Sequence, residues 1–244
     1  MGDAAATVHA SLRDDGVLDV LLDDGGPNVL RPDVCDTLHD VLDAHRDAPV
    51  LLRGRDGLFS AGLDLRWMVA NPPDAIGELL RACGRMLVAV RTHPRPVVVA
   101  ATGHAIAAGT MLAMCGDHVV AADGGAWGLN ETTNGMEIPR FGIELAAARL
   151  GPRDRDALLV PGERIDAARA VAVGMADELA DPAQVLPRAE VRLAHLVSLP
   201  ATAYAGNKHR LRAARAERIL AGLDADVDEL VEGLRRAVAL DHGR

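Results

Sequence analysis

Short apolar runs alternate with turn residues along the first two thirds of the chain and predict strands and helices in turn. Thr7–Arg13 and Val17–Leu22 are β-compatible runs on either side of an Asp-Asp-Gly turn, so they predict a hairpin. Apolar residues at helical spacing predict one helix from Arg31 and another over Asp74–Arg91. Further strands are predicted at Val50–Arg53, Val97–Ala101, Val119–Ala121 and Met175–Leu179. The recurring order of strand, strand and helix predicts an α/β protein.

The last third of the chain changes character. The pattern is helical from Phe141 onward, with breaks at Gly-Pro or Pro residues, and it becomes charge-rich after Pro200. We therefore predict a core over residues 1–190 and a C-terminal helical region over residues 191–244. No tandem repeat of fixed period is present in the sequence.

Composition and charge restrict the class of protein. The 244 residues are 49% hydrophobic and 25% charged, as in a globular protein that needs no disulfide or metal to fold. The net charge of −9 argues against nucleic acid as a partner. No membrane span is expected, since the uncharged segment Pro96–Gly116 contains proline, glycine and many alanines. Residues 1–11 lack a signal peptide pattern, so we expect a cytoplasmic protein.

Several chemistries find no support in the sequence. The three cysteines are dispersed, so they predict buried, reduced thiols and no metal site. There is no dinucleotide-binding glycine motif, no phosphate-binding loop, no zinc-protease motif and no serine-hydrolase elbow. A hydrolase would have to use Ser60 with His104 and Asp117, and no local pattern supports that alternative.

Two glycine-containing turns are the first candidate for chemistry. Residues 59–65 and residues 103–109 each place small residues where a strand ends and a helix begins. The first N–H groups of a helix have no acceptor within the helix, and the helix dipole favours negative charge there. Two such turns side by side would point two N–H groups at one oxygen, as in an oxyanion hole; close packing of the turns is the structural alternative.

A carboxylate is the second candidate. Glu131 lies in the otherwise uncharged stretch from residue 124 to residue 136. An acid in such a stretch is either a loop residue at the surface or a group kept for chemistry.

Together these segments resemble the crotonase superfamily, the enoyl-CoA hydratase/isomerase family. The sequences FSAGLDL (59–65) and GHAIAAG (103–109) resemble its two oxyanion segments. CGD (115–117) and WGLNE (127–131) resemble its catalytic stretch, and the resemblance extends over nearly the whole chain. It implies a spiral of ββα units with a C-terminal helical region, a homotrimer or hexamer, and an acyl-CoA thioester as substrate. No separate cofactor is implied, because coenzyme A is part of the substrate.

The resemblance also implies roles for individual residues. The backbone N–H groups of Leu63 and Ala108 would hold the thioester oxygen, and Glu131 would act as acid and base. The substrate would contact the positions that match the family's binding residues, which are Ala61, Leu63, Asp64, Leu65, Arg66, Ala108, Met111 and Lys208. For Asp64 we expect a helix cap rather than catalysis. Arg66 and Lys208 are candidates for the phosphates of coenzyme A, and a solvent-exposed helix face is the alternative for Lys208.

One departure from the family pattern bears on the reaction. Hydratases carry a second glutamate where this chain has Met111, and water addition generally uses two carboxylates. One base is enough to move a proton between C2 and C4, so we expect a Δ3-Δ2-enoyl-CoA isomerase. A hydratase remains the alternative, with Glu137 as a possible second acid. A non-catalytic acyl-CoA-binding subunit is a further alternative.

Overall fold

The computed structural model describes the backbone of residues 7–241 and the side chains of residues 7–236. Residues 1–6, part of the segment searched for a signal peptide, and residues 242–244 of the predicted C-terminal region lie outside the described residues. The strands are β1 (Val8–Leu12), β2 (Leu18–Leu22), β3 (Val29–Leu30), β4 (Val50–Gly54), β5 (Gly57–Ser60), β6 (Gly62–Leu63), β7 (Val97–Ala101), β8 (Gly103–Ile106), β9 (His118–Ala122), β10 (Ala126–Gly128), β11 (Ile165–Asp166) and β12 (Glu178–Ala180). The helices are α1 (Pro32–Ala44), α2 (Leu65–Ala70), α3 (Pro73–Thr92), α4 (Ala108–Met114), α5 (Arg140–Ala147), α6 (Pro152–Leu159), α7 (Ala167–Val173), α8 (Val185–Val197) and α9 (Ala201–Asp241).

The strands form two main sheets that the chain visits in turn. The first has the order β1-β2-β4-β7-β9-β12 and is parallel except for the hairpin β1-β2. The second has the order β11-β10-β8-β5, and β3 pairs with β6 in a small third sheet. Each pair of consecutive strands β4/β5, β7/β8 and β9/β10 gives its first strand to the first sheet and its second strand to the second sheet. This repeat is the predicted spiral of ββα units, and the α/β class is confirmed.

The first sheet is covered on both faces, as parallel sheets generally are. Along β7, Val97 and Val99 face the main hydrophobic core, whereas Val98 and Ala100 face a second cluster that includes residues of α8. All four side chains are fully buried. Because both faces of the sheet are packed in this way, the strand ends at which the candidate turns begin are held in place.

The C-terminal region is dominated by α9, an uninterrupted helix of 41 residues that packs along α3. The predicted boundary at residue 190 falls inside α8, and the break between helices is at 198–200, because Pro200 cannot continue α8. α8 packs on the first sheet through its apolar face, so it is part of the core. The division into two regions stays a prediction, with its boundary better placed at 198–200.

Two further observations concern the described residues. None of their helices combines the length and the apolar character that crossing a bilayer requires. They also contain no cluster of three or more His, Cys, Asp or Glu side chains suited to a metal ion. Cys35, Cys83 and Cys115 are free and buried, as predicted.

Candidate active site

A buried serine and a glycine hold the turn between β5 and α2. Gly62 has a φ of +87°, which strains any residue with a side chain. The Ser60 hydroxyl is fully buried, donates to the backbone oxygen of Asn28 at 2.7 Å and accepts from the N–H of Gly62 at 3.1 Å. Ser60 therefore shapes the turn, and its bonded hydroxyl argues against the hydrolase alternative.

Pairing with β3 fixes the directions in which the backbone N–H groups of this turn point. The N–H of Asp64 donates to the oxygen of Leu30 at 3.1 Å. Successive N–H groups of an extended strand point to opposite sides, so the N–H of Leu63 points away from β3. The Asp64 carboxylate accepts from the N–H of Trp67 at 3.0 Å and caps α2, which confirms its expected role.

The second turn contains a strained alanine. Ala107 has φ +50° and ψ −122°, although it is not a glycine, and its N–H donates to the oxygen of Gly128 at 2.7 Å. α4 begins at the next residue, Ala108, so the N–H of Ala108 belongs to the first turn and has no acceptor within the helix. Strain of this kind persists where the surrounding structure fixes the backbone.

The two turns touch, and glycines make this approach possible. A Cβ on Gly62 would lie 2.7 Å from the oxygen of Ile106 and 3.0 Å from the nitrogen of Ala108. A Cβ on Gly109 would lie 2.4 Å from the oxygen of Ser60. Both contacts are too short for any residue except glycine, so the sequence brings the Leu63 and Ala108 segments side by side.

Glu131 follows β10 and begins a short 3₁₀ turn over Thr132–Asn134. Its backbone oxygen accepts from the N–H groups of Asn134 and Met136, which fixes the turn. The side chain is only 6% exposed, and its Oε2 has no hydrogen-bond partner among the described residues. Burial raises the pKa of the Glu131 carboxyl to about 7, and a hydrogen bond from its own backbone opposes this only in part. A carboxylate with this pKa can accept and return a proton near neutral pH.

A cavity of about 710 Å³ connects these parts. Its walls come from both turns, from the Glu131 loop and from helices α2, α3, α4, α5 and α9. The lining residues are Leu58, Ala61, Leu63, Leu65, Met68, Ile76, Leu80, Cys83, His104, Ile106, Ala107, Ala108, Met111, Ala126, Asn130, Glu131, Asn134, Gly135, Met136, Glu137, Pro139, Phe141, Arg164, Glu229, Leu230, Gly233, Leu234 and Arg236. Such a mainly apolar chamber with a few polar groups is typical of a small-molecule site.

The cavity brings together most of the residues selected from the sequence. They are Ala61, Leu63, Leu65, Ala108, Met111, Glu131 and Glu137. Met111 is buried beside Gly142, where a Cβ would lie 2.7 Å from the Met111 Cε. The Glu137 side chain is exposed and lies at the mouth of the cavity.

Three candidate binding residues, Asp64, Arg66 and Lys208, are not among the described residues that line the cavity. Arg66 is exposed on α2. The Lys208 ammonium is buried and bonded to the Asp117 carboxylate at 2.7 Å, and Arg212 binds the same carboxylate at 2.8 Å. Burial lowers the pKa of Lys208 to about 8, against the opposing effect of Asp117. Lys208 is a structural group, and the expectation that it contacts coenzyme A is not supported.

Sequence reasoning missed two parts of the site. Asn130 is 1% exposed, and its Oδ1 is buried with no donor in the part of the chain that the structure describes. An uncharged amide beside Glu131 gives no signal of this in the sequence. The cavity wall formed by α9 was also missed, although Leu230 and Leu234 are apolar positions at helical spacing in a charge-rich segment.

Comparison with known proteins gives consistent results. Residues 13–236 match the protein family described as enoyl-CoA hydratase/isomerase. The mitochondrial enoyl-CoA delta isomerase 1 of Homo sapiens is 29% identical over 184 residues, which cover 75% of this chain and 61% of that protein. The probable enoyl-CoA hydratase EchA17 of Mycobacterium tuberculosis is 32% identical over 181 residues, which cover 71% of this chain and 68% of that protein. The chain thus spans about three fifths of the length of the human isomerase.

Solved structures agree in fold over more of the chain. The human mitochondrial delta3-delta2-enoyl-CoA isomerase has a TM-score of 0.88 at 26% identity, covering 93% of this chain and 91% of that one. The probable enoyl-CoA hydratase EchA3 of Mycobacterium tuberculosis has a TM-score of 0.88 at 31% identity, covering 96% and 99%. With the two touching turns, the buried glutamate and the ββα spiral, these matches show that the chain belongs to the enoyl-CoA hydratase/isomerase family of the crotonase superfamily.

Proposed function

We propose that the protein is an acyl-CoA enzyme that moves a double bond from C3–C4 to C2–C3 of an enoyl-CoA thioester. The observation that carries the proposal is the buried carboxylate of Glu131 in an apolar cavity that Met111 also lines. By the family resemblance, Met111 stands where a hydratase has its second glutamate. Because a proton shuttle needs one base and hydration generally needs two carboxylates, this pair of residues favours isomerisation.

The proposed reaction uses the two turns and Glu131 in sequence. Glu131 removes a proton from C2, and the electron pair of the broken C–H bond delocalises onto the thioester oxygen. The N–H groups of Leu63 and Ala108 stabilise this oxyanion. Loss of one such donor typically raises the activation barrier by ~3–4 kcal/mol. The protonated Glu131 then returns the proton to C4, which restores the thioester and leaves the double bond at C2–C3.

Hydration is the second candidate, because Glu137 lies at the cavity mouth and relatives named as hydratases match the chain. The experiment that separates the two is proton NMR of the purified protein with a 3-enoyl-CoA in deuterated buffer, beside a 2-enoyl-CoA. We expect conversion of the 3-enoyl ester and little 3-hydroxyacyl product from the 2-enoyl ester. Rapid formation of the 3-hydroxyacyl ester would contradict the isomerase proposal and direct attention to Glu137.

Two variants of the site sharpen this test. We expect Glu131→Gln to lower the rate of isomerisation by at least ~10³-fold and to keep binding the saturated ester, because the amide cannot accept the proton.

We expect Met111→Glu to gain measurable hydration, with Met111→Gln as the uncharged control of similar size. Full activity of Glu131→Gln would remove the proposed base, and loss of ester binding as well would indicate a disturbed fold. A wild type that binds acyl-CoA but turns over neither ester would favour the non-catalytic subunit.

A further inference from the structure

Part of the cavity wall belongs to the distal part of α9. Leu230 and Leu234 are half-buried there, and Gly233 lies between them on the same helix. Ile76 and Leu80 of α3, the helix that packs along α9, are buried and line the same cavity. This part of the cavity is therefore lined by apolar side chains from two neighbouring helices.

Packing does not explain the glycine in this wall. A Cβ on Gly233 would meet no heavy atom within 4 Å, and its φ is not in the left-handed region. Glycine is among the weakest helix formers, so alanine would be the better residue for α9 itself. By contrast, a Cβ on Gly84 of α3 would lie 2.7 Å from the Leu223 side chain, so there the glycine allows the two helices to approach.

Open surroundings alone do not mark a site, because Gly222 of the same helix also has no neighbour within 4 Å. Gly222 is not among the described residues that line the cavity, whereas Gly233 is. Gly233 is exposed, lines the cavity and has open space at its Cβ position, so a side chain at residue 233 has room to extend into the cavity. Within α9, Gly222 provides a matched comparison.

We propose that Gly233 determines the acyl chain length that the enzyme accepts. The apolar tail of a long, unbranched acyl group lies across Gly233 and contacts the apolar lining residues Leu230, Leu234, Ile76 and Leu80. The proposal rests on the proposed function, because it takes the ligand to be an acyl-CoA thioester. A short acyl group ends near Glu131 and does not reach α9. A side chain at residue 233 would shorten the space available to the acyl tail and would not contact Glu131.

The test compares Gly233→Leu with Gly222→Leu. Isothermal titration with saturated acyl-CoA esters of 4 to 16 carbons measures binding without any turnover by Glu131. For Gly233→Leu we expect the dissociation constant of the 16-carbon ester to rise at least 10-fold, and that of the 4-carbon ester to change less than 2-fold. Gly222→Leu should match the wild type at every length. Leucine favours helix, so both variants are expected to fold, which thermal unfolding checks.

Each outcome decides the proposal. Weakening that grows with chain length only in Gly233→Leu supports it. An equal change at all chain lengths, no change at any length, or the same change in Gly222→Leu overturns it and leaves the proposed reaction intact. If the wild type binds no acyl-CoA of any length, the proposed function fails together with the role of Gly233.

Discussion

Glu131 is an acid placed where water cannot fully solvate it. The cavity leaves the side chain 6% exposed, and its Oε2 lacks a donor among the described residues. Burial is the main cause that raises its pKa to about 7, so the residue is half-ionised at neutral pH. A base must be ionised to accept a proton, which ties activity to this single titration.

We expect kcat/KM for the 3-enoyl-CoA ester to rise about tenfold per pH unit below a midpoint near 7 and to level off above it. The measurement is the initial rate at low substrate concentration across pH 5 to 9. A midpoint between 4 and 5 would show that Glu131 is not desolvated in the free enzyme.

The same burial predicts an effect on stability. From the ordinary pKa of 4.5 up to about 7, folded Glu131 keeps a proton that the unfolded chain loses, so stability falls as the pH rises through this window. Glu131→Gln removes the buried charge, and we expect it to raise the free energy of unfolding by up to about 3 kcal/mol at pH 8 and to change it little at pH 4. Urea unfolding at both pH values measures this. A variant that is less stable at pH 8 would mean that an unseen donor satisfies the carboxylate.

Ala107 stores backbone strain next to the proposed oxyanion donor. We expect Ala107→Gly to raise the free energy of unfolding by about 1 kcal/mol and to leave turnover within about twofold, since the N–H of Ala108 remains. Ala113→Gly within α4, the helix that follows Ala107, should lower stability by about 1 kcal/mol, because Ala113 is a helical residue and glycine is a weaker helix former than alanine. Urea unfolding of the two variants should therefore shift in opposite directions, and a shift in the same direction would contradict the strain.

Among the elements, those with strong local patterns were predicted well. The hairpin β1-β2, helix α3 and strand β7 each begin and end within a few residues of their predicted limits, and α1 begins next to its predicted start at Arg31. The two-residue strands β3 and β6 were not predicted, because they pair over a distance of some thirty residues and carry no period of their own.

The contribution of α9 to the cavity depends on its packing along α3, which no local pattern encodes. The candidate turns and Glu131 were selected through their motifs, whereas the burial of Lys208 against Asp117 is a long-range contact that no local pattern indicates.

α9 is fixed near its start by the buried pair of Lys208 and Asp117, with Arg212 on the same carboxylate. Asp117→Asn would leave the buried Lys208 ammonium and the partly buried Arg212 guanidinium without this counter-charge, and we expect a loss of about 3–5 kcal/mol in the free energy of unfolding. The control is Arg235→Ala, which removes an exposed ion pair with Asp74 further along the helix and should change stability by less than about 1 kcal/mol. Equal effects in urea unfolding would contradict the anchoring role.

At the scale of the whole molecule, several apolar side chains just after α6 and on α8 and α9 are left uncovered by this single chain. Val160 and Val191 are each 72% exposed, and Leu211 is 84% exposed. We expect a homotrimer, or a hexamer of paired trimers, with a light-scattering mass of three or six times that of one chain at micromolar concentration. Leu211→Asp should lower that mass if Leu211 lies in the interface. A wild type that stays monomeric under these conditions would contradict the expected assembly.

The division of the cavity between two parts of the chain has a consequence for how such an enzyme diversifies. The proposed base and both oxyanion turns lie within residues 58–137, whereas the distal wall comes from residues 229–236 of α9. Mutations in that short stretch can therefore alter substrate preference while the reaction stays the same. Swapping the last turns of α9 between relatives would then transfer the acyl preference alone. One catalytic core could thus serve a set of paralogues that accept different acyl groups and catalyse the same reaction.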